Sequence, residues 1–168
     1  MKDTFYQETT YAGFWLRFAA MLIDGILLSV FAYVLIFFFG ILGFGAIAAS
    51  GKLDQESLMN SEPDPALIAT FIGLYLGFIL IYTIAGWLYY ALMESSANQA
   101  TLGKKALGIV VTDLEGDRIT FLQATGRYFG KIVSAMILYI GFIMAGFTDK
   151  KQALHDIMAS TLVLKDLN

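Results

Sequence analysis

The sequence contains no cysteine and only one histidine. Without cysteine there can be no disulfide, iron–sulfur cluster or thiolate zinc site, and a single histidine argues against a histidine-based metal centre. Charged residues are scarce as well: they make up 15% of the 168 residues, whereas about a quarter is usual in soluble domains. We find no nucleophile–base pair. We therefore expect no enzyme, no cofactor and no nucleic-acid partner.

Hydrophobic residues take the place of the missing charges. They make up 58% of the chain, and the mean hydropathy is +0.68. A hydrocarbon core about 30 Å thick needs roughly 20 apolar residues in a helix, and two runs, 15–49 and 66–93, are longer than that. No cleavable secretory signal is visible. The sequence predicts a single-domain, multi-pass membrane protein whose first partner is the lipid bilayer.

The first run, WLRFAAMLIDGILLSVFAYVLIFFFGILGFGAIAA, contains one buried charge. Trp15 and Arg17 mark an interface, and Asp24 is the only formal charge between residues 18 and 49. A carboxylate inside a membrane helix costs on the order of 2.5–3.5 kcal/mol and is rarely left without a partner. The predicted helix, 14–49, exceeds the thickness of the hydrocarbon core, so we expect it to tilt or to break near its glycines, Gly40, Gly43 and Gly45.

The second span follows a polar loop, 50–65, that contains four acids and one lysine. Asp64 is placed to cap the helix and Pro65 to occupy its first position. The span, 66–93, ends in an aromatic belt of Trp87, Tyr89 and Tyr90. Small residues recur at Ala69, Gly73 and Gly77, and we favour packing against the first span over a dimer seam.

The polar loop that follows, 94–127, contains two β-branched stretches around a turn. GIVVT at 108–112 and RITF at 118–121 flank LEGD, which predicts a short β-hairpin. The extended sequence STLVL lies near the end of the chain, at 160–164.

A third apolar segment, 128–147, is short for a membrane span. Its apolar part is 16 residues, so it either crosses completely or forms a re-entrant turn kinked near Gly141. A complete crossing places the lysines of the tail, 148–168, on the outer side, against the positive-inside rule, so we favour the re-entrant form.

The distribution of basic residues predicts the orientation. The loop 50–65 has one lysine, and the segment 94–131 has five basic residues: Lys104, Lys105, Arg118, Arg127 and Lys131. This predicts a bacterial-type plasma (inner) membrane protein whose N-terminus, 1–13, and long loop lie on the cytoplasmic side. The predicted fold is an all-α membrane bundle of two full transmembrane helices, a third spanning or re-entrant segment and a short cytoplasmic β-hairpin.

Three stretches carry a family resemblance: FWLRFAAMLID at 14–24, TLGKKALGIVVTDLEGD at 101–117 and KQALHDIMASTLVLK at 151–165. In this order and spacing they resemble the RDD family of membrane proteins, named for one arginine and two aspartates. The resemblance implies that Arg17, Asp24 and Asp156 are the three namesakes, with Asp149 as a competitor for the last. It also implies transport of unidentified ligands, and some members are described as sodium/proton antiporters.

Each candidate residue also has a structural interpretation. Arg17 and Asp24 lie two helical turns apart, about 10 Å along the axis, so Asp24 is expected to meet another group, such as a Ser, Tyr or Lys of a neighbouring helix. Arg17 could be a simple interfacial anchor. Asp156 could cap the last helix or pair with Lys150 or Lys151.

Secondary candidates for the polar site are Asp149, His155, Lys104 and Arg127. His155 is interpreted as an interfacial histidine. Lys104, with Lys105, suits anionic headgroups; TLGKK lacks the first glycine of a phosphate-binding loop.

Two functions follow from these patterns. The first is a small transporter of a proton or cation through an Arg/Asp/Asp site, acting as a homo-oligomer because one carboxylate within two or three helices makes a poor alternating-access device. The second is a non-catalytic adaptor or assembly factor with a membrane-protein partner. If Arg17 and Asp156 meet, the tail must lie on the side of Arg17, which a re-entrant third segment permits and a complete crossing forbids.

Overall fold

The computed structural model describes residues 11–51 and 64–166, so predictions for residues 1–10 and most of the loop 50–65 lie outside it. The described chain is mainly helical with one small sheet, which confirms the predicted fold class. Its elements are α1 (Phe14–Ala49), α2 (Pro65–Glu94), α3 (Leu102–Ala106), β1 (Ile109–Asp113), α4 (Phe121–Met136), α5 (Ile140–Ile143), a 3₁₀ turn (Met144–Gly146), α6 (Leu154–Met158) and β2 (Thr161–Lys165).

The two long helices, α1 and α2, are each long and apolar enough to cross a membrane. Of the two alternatives for α1, a tilt or a break, the break is wrong, because the helix is continuous over 36 residues. Gly43 has a packing role instead, since a Cβ there would lie 3.0 Å from the ring of Phe71. The predicted start of α2 is confirmed, because the N–H of Ala66 donates to Oδ1 of Asp64 at 2.8 Å.

The chain divides into two compact units. The apolar unit is Leu27–Ala85, and it contains the C-terminal part of α1 and the N-terminal part of α2. The two helices pack there through glycines, and a Cβ on Gly77 would touch the ring of Phe39 at 3.4 Å. This contact agrees with the predicted packing of Gly77 within the chain.

The polar unit comprises Met1–Ile26 and Gly86–Asn168. Its two-stranded antiparallel sheet joins β1 to β2, with Val111 opposite Val163. Both strands are rich in β-branched or large apolar residues, as a buried strand requires. The N–H of Ala12 donates to the carbonyl of Val163 at 2.9 Å, so the approach to α1 lies beside the last strand.

The predicted β-hairpin between 108–112 and 118–121 is wrong, because β1 pairs with a different stretch of the chain. The stretch RITF makes one isolated bridge, between Thr112 and Arg118, and forms no strand. Thr120 and Gln123 form a capping box that starts α4 at Phe121, which leaves too few extended residues for a ladder. The extended end of the chain, predicted at 160–164, supplies the partner instead.

The third apolar segment is bent. α4 and α5 meet at 116°, so they count as a span only as a bent pair. The bend falls at Leu138 and Tyr139, whose φ angles are 55° and 62°. A Cβ on Gly141 would lie 2.7 Å from Cβ of Ser134, so this glycine is what allows α5 to fold back onto α4.

Candidate functional site

Six ionisable side chains form a continuous buried group in the polar unit. We call this the charge cluster; its members are Arg17, Glu94, Lys104, Arg127, Lys131 and Asp156. They come from the start of α1, the end of α2, α3, α4 and α6. Five elements therefore meet at this group, which lies around two carboxylates.

Asp156 is the first of these carboxylates and is fully buried. Nη1 of Arg17 donates to its Oδ2, Nη2 of Arg127 lies 2.7 Å from its Oδ1, and the N–H of Ala153 donates to Oδ2 at 3.0 Å. Burial acts to raise the pKa of Asp156, but Arg127 and Arg17 outweigh it and hold the pKa below the usual range. The carboxylate is thus kept ionised between two guanidinium groups.

Arg17 does more than pair with Asp156. Its Nε donates to the carbonyl of Ala12 at 2.8 Å and its Nη2 to the carbonyl of Lys151 at 2.6 Å. One guanidinium thereby joins the segment before α1, the turn before α6 and α6 itself. Arg17 is therefore a structural link between three parts of the chain and more than a simple interfacial anchor.

Glu94 is the second carboxylate, with 1% of its side chain exposed. Nζ of Lys104 donates to its Oε1 at 2.6 Å, while Nη1 of Arg127 and Nζ of Lys131 each approach it to 3.5 Å. Burial lowers the pKa of Lys104 to about 7, with Arg127 adding to the fall and Glu94 opposing it. Lys104 can therefore exchange a proton near neutral pH.

Asp24 lies in a separate set of hydrogen bonds, which we call the Asp24 cradle. Its two oxygens accept from the hydroxyl of Tyr89 at 2.7 Å, from Oγ1 of Thr101 at 2.6 Å and from the N–H of Gly103 at 2.7 Å. Asp24 is 1% exposed, and these donors offset the cost of burying its carboxylate. Tyr89 belongs to α2, the kind of neighbouring-helix partner expected for Asp24.

Gly103 is required by this cradle. A Cβ at that position would overlap the carbonyl oxygen of Ala20 and would lie 2.9 Å from Cγ of Asp24. The glycine therefore lets α3 contact the backbone of α1 directly. Thr101, which donates to Asp24, also caps α3.

The structure separates the predicted three-residue site into two parts. Arg17 and Asp156 meet, as the re-entrant form of the third segment allows, and Asp24 is held in its own cradle. Asp149, the competing aspartate, is exposed in the turn before α6. The proposed pairs of Asp156 with Lys150 or Lys151 are wrong, since its cationic partners are arginines.

His155 belongs to α6 and packs against α4 inside the polar unit. It is 5% exposed, its Nδ1 is 3.4 Å from Oγ of Ser134, and its ring is 5.1 Å from that of Phe142. Burial lowers its pKa to about 3, against the attraction of the adjacent Asp156. His155 is therefore a neutral packing residue rather than an interfacial one.

Two further predictions concerned basic residues. Lys104 faces Glu94 and is 7% exposed, so its predicted contact with anionic headgroups is wrong. Arg127, a secondary candidate, lies at the centre of the charge cluster between Glu94 and Asp156.

Five residues of the site were not among the candidates predicted from the sequence: Tyr89, Glu94, Thr101, Gly103 and Lys131. Glu94 had a usable signal, because it is the first charge after a long apolar run and is followed by a segment with five basic residues. The donors of the cradle had none, since serine, threonine and tyrosine are common near helix ends.

Within residues 11–51 and 64–166, no three His, Cys, Asp or Glu side chains are grouped as a metal ion would require. The charged groups of the site are joined as ion pairs around Glu94 and Asp156.

Comparison with known proteins gives the family of this chain. The RDD family model matches residues 11–160, a range that includes Arg17, Asp24 and Asp156. YxaI of Bacillus subtilis (strain 168), an uncharacterized protein, is 40% identical over 154 residues, covering 91% of this chain and 96% of that protein. The uncharacterized membrane protein YteJ of the same strain is 28% identical over 162 residues, covering 93% of this chain and 82% of that protein.

No solved structure matches the chain. The family model nevertheless covers residues 11–160, which is most of the sequence and includes every element from α1 to α6. The chain has two helices that are long and apolar enough to cross a membrane. This chain belongs to the RDD family of membrane proteins.

Proposed function

We propose that this protein is a small transporter of the plasma membrane, in which Asp24 and the charge cluster together handle a proton or another small ion. The observation that carries the proposal is the continuous buried set of ion pairs from Arg17 to Lys104. Buried ion pairs are poor stabilisers because desolvation offsets their attraction. In membrane proteins, buried ionisable residues commonly mark ion or proton pathways.

Transport by this chain requires more than one copy. In the described parts of the apolar unit, residues 27–51 and 64–85, the only formally charged residue is Asp64, at the very start of α2. A charged solute therefore meets no charged side chain along the C-terminal part of α1 or the N-terminal part of α2, residues 27–49 and 65–85. We include a homo-oligomer in the proposal, because helices of several copies can enclose a path that one copy does not line.

The proposal places the polar unit on the cytoplasmic side. The basic residues of segment 94–131 support this placement through the positive-inside rule. The ion pair of Arg17 with Asp156 supports a re-entrant third segment, because it keeps α6 and β2 at the end of α1 where Arg17 lies.

The test is flux into liposomes that contain the purified protein. We expect proton or cation flux with the natural protein and loss of flux with Asp24→Asn, with its helical circular dichroism unchanged. Asp149→Asn is the matched control, because it removes the same charge at an exposed position outside both parts of the site. Flux that survives in Asp24→Asn, or none with the natural protein, would reject the proposal.

A second function, a membrane adaptor, is favoured by a different observation. The carboxylate of Asp24 accepts three hydrogen bonds from the chain itself, and that of Asp156 accepts two and forms an ion pair with Arg127, which suits a rigid scaffold. Crosslinking in native membranes should then recover one partner in constant stoichiometry. Recovery of copies of this chain alone would favour the transporter.

A further inference from the structure

The charge cluster has more positive than negative groups. Four basic side chains, Arg17, Lys104, Arg127 and Lys131, face two carboxylates, Glu94 and Asp156. Adding the carboxylate of Asp24 still leaves one positive charge when all the basic groups are protonated. Because uncompensated buried charge is costly, such a group favours any ligand that brings negative charge to it.

The unused hydrogen-bonding capacity lies on Arg127 and Lys131. Arg127 is 2% exposed, yet its Nε and Nη1 donate to no acceptor among the described residues. Nη1 of Arg127 and Nζ of Lys131 each lie 3.5 Å from a carboxylate oxygen of Glu94, which is too far for a good hydrogen bond. By contrast, Nζ of Lys104 and the guanidinium of Arg17 are engaged in short contacts.

These two side chains are also placed to act together. They are four residues apart on α4, so they project from the same face of the helix. Nζ of Lys131 lies 4.0 Å from the centre of the Tyr90 ring, and 22% of the Lys131 side chain is exposed, the largest value in the cluster. Lys131 is thus the most exposed member of the cluster, on the same helix face as Arg127 and beside Tyr90.

We propose that Arg127 and Lys131 form a binding site for a phosphate-type anion. A planar guanidinium whose Nε and Nη1 have no acceptor among the described residues, next to an ammonium group, matches the several acceptor oxygens of a phosphate. The same group is carried by free phosphate compounds and by anionic lipid headgroups. Ile132 and Val133 beside Lys131 are apolar and exposed, so a lipid tail has a surface to lie on when the source is a headgroup.

This site does not depend on transport. An adaptor could hold an anionic lipid here, and a transporter of protons could do so too. Failure of the flux experiment therefore leaves the anion site untouched, and failure of the binding experiment leaves flux untouched.

The experiment uses the full chain purified in an uncharged detergent. Binding isotherms are measured for inorganic phosphate in one arm and for a short-chain phosphatidylglycerol in the other, with short-chain phosphatidylcholine as the zwitterionic comparison. We expect saturable binding in at least one arm, weakened about tenfold by Lys131→Gln, as for loss of one charged hydrogen bond. Lys131→Arg should restore binding to within about threefold, because the charge is kept.

Lys105→Gln is the matched control. It removes the same charge from a lysine that lies outside the cluster, exposed and bonded to Asn98. Binding of phosphate alone supports a soluble ligand, and binding of phosphatidylglycerol alone supports a headgroup. The proposal is overturned when neither arm saturates, when Lys131→Gln binds like the natural protein, or when Lys105→Gln loses as much affinity as Lys131→Gln.

Discussion

Arg17 and Asp156 are 139 positions apart in the sequence and form a buried ion pair. The pair joins the first helix to the last, and Arg127 binds the other oxygen of the same carboxylate. Asp156 is therefore the point at which α1, α4 and α6 are held together.

The first prediction concerns the loss of this carboxylate. Asp156→Asn leaves two arginines in a buried site without their counter-charge, and removing one partner of a buried pair costs about 3–5 kcal/mol. We expect the free energy of unfolding in detergent to fall by about that amount. Asp149→Asn, at an exposed position, should change it by less than about 0.5 kcal/mol. Equal effects of the two substitutions would show that the pair does not hold the polar unit together.

The second prediction concerns the contact between α1 and α3. Gly103→Ala places a methyl group against the carbonyl of Ala20 and 2.9 Å from Cγ of Asp24, so the backbone of α3 must move. Overpacking of this kind costs about 1–3 kcal/mol. The matched control is Gly126→Ala in α4, where a Cβ meets nothing within 4 Å and should stabilise the helix by about 0.5–1 kcal/mol.

Thermal unfolding of both variants in the same detergent measures this difference. A drop for Gly103→Ala together with a gain for Gly126→Ala is the expected pattern. Two similar shifts would mean that α3 does not depend on its close approach to Ala20.

Helices α1 and α2 could be predicted because each is specified locally. Apolar runs fix their existence, and Asp64 with Pro65 fixes the start of α2. The sheet could not be predicted in full, because strand pairing depends on distant residues. RITF was the nearest candidate in sequence, yet the capping box of Thr120 and Gln123 gives that stretch to α4, and the partner comes from 161–165.

The candidate site shows the same division. The importance of Arg17 and Asp24 could be inferred from charges in an apolar run, and Asp156 from family resemblance. Their partners could not be assigned from the sequence. The segment 94–131 has five basic residues, and only the packing of the folded chain decides which of them contact the buried carboxylates. That selection places Lys104 inside against Glu94 and leaves Lys105 at the surface.

The third prediction is a pH dependence of stability due to Lys104. In the folded protein its pKa is lowered to about 7 from 10.5, so between these values the unfolded chain binds more protons than the folded one. The free energy of unfolding should therefore rise with pH through this window, by about 1–3 kcal/mol between pH 7.5 and 9.5.

Denaturant unfolding at the two pH values provides the measurement. Lys104→Met should show a gain smaller by at least about 1 kcal/mol, because it has no proton to release. Lys105→Met should keep the full gain. A gain that is the same in both variants would exclude Lys104 as its source.

The fourth prediction concerns the bend between α4 and α5. Leu138 and Tyr139 are 82% and 65% exposed, although both are large and Leu138 is wholly apolar. Exposed apolar residues at a backbone bend of 116° are explained when the bend lies in lipid, as a re-entrant segment requires.

The absence of cysteine makes this measurable with single nitroxide labels. A label at Leu138→Cys in proteoliposomes should collide with oxygen and be protected from a water-soluble nickel relaxant, as lipid-facing sites are. A label at Lys150→Cys, on the exposed turn before α6, should respond in the opposite way. Strong nickel accessibility at Leu138 would place the bend in water, and α4 and α5 would then form a surface helix pair instead of a segment inserted into the membrane.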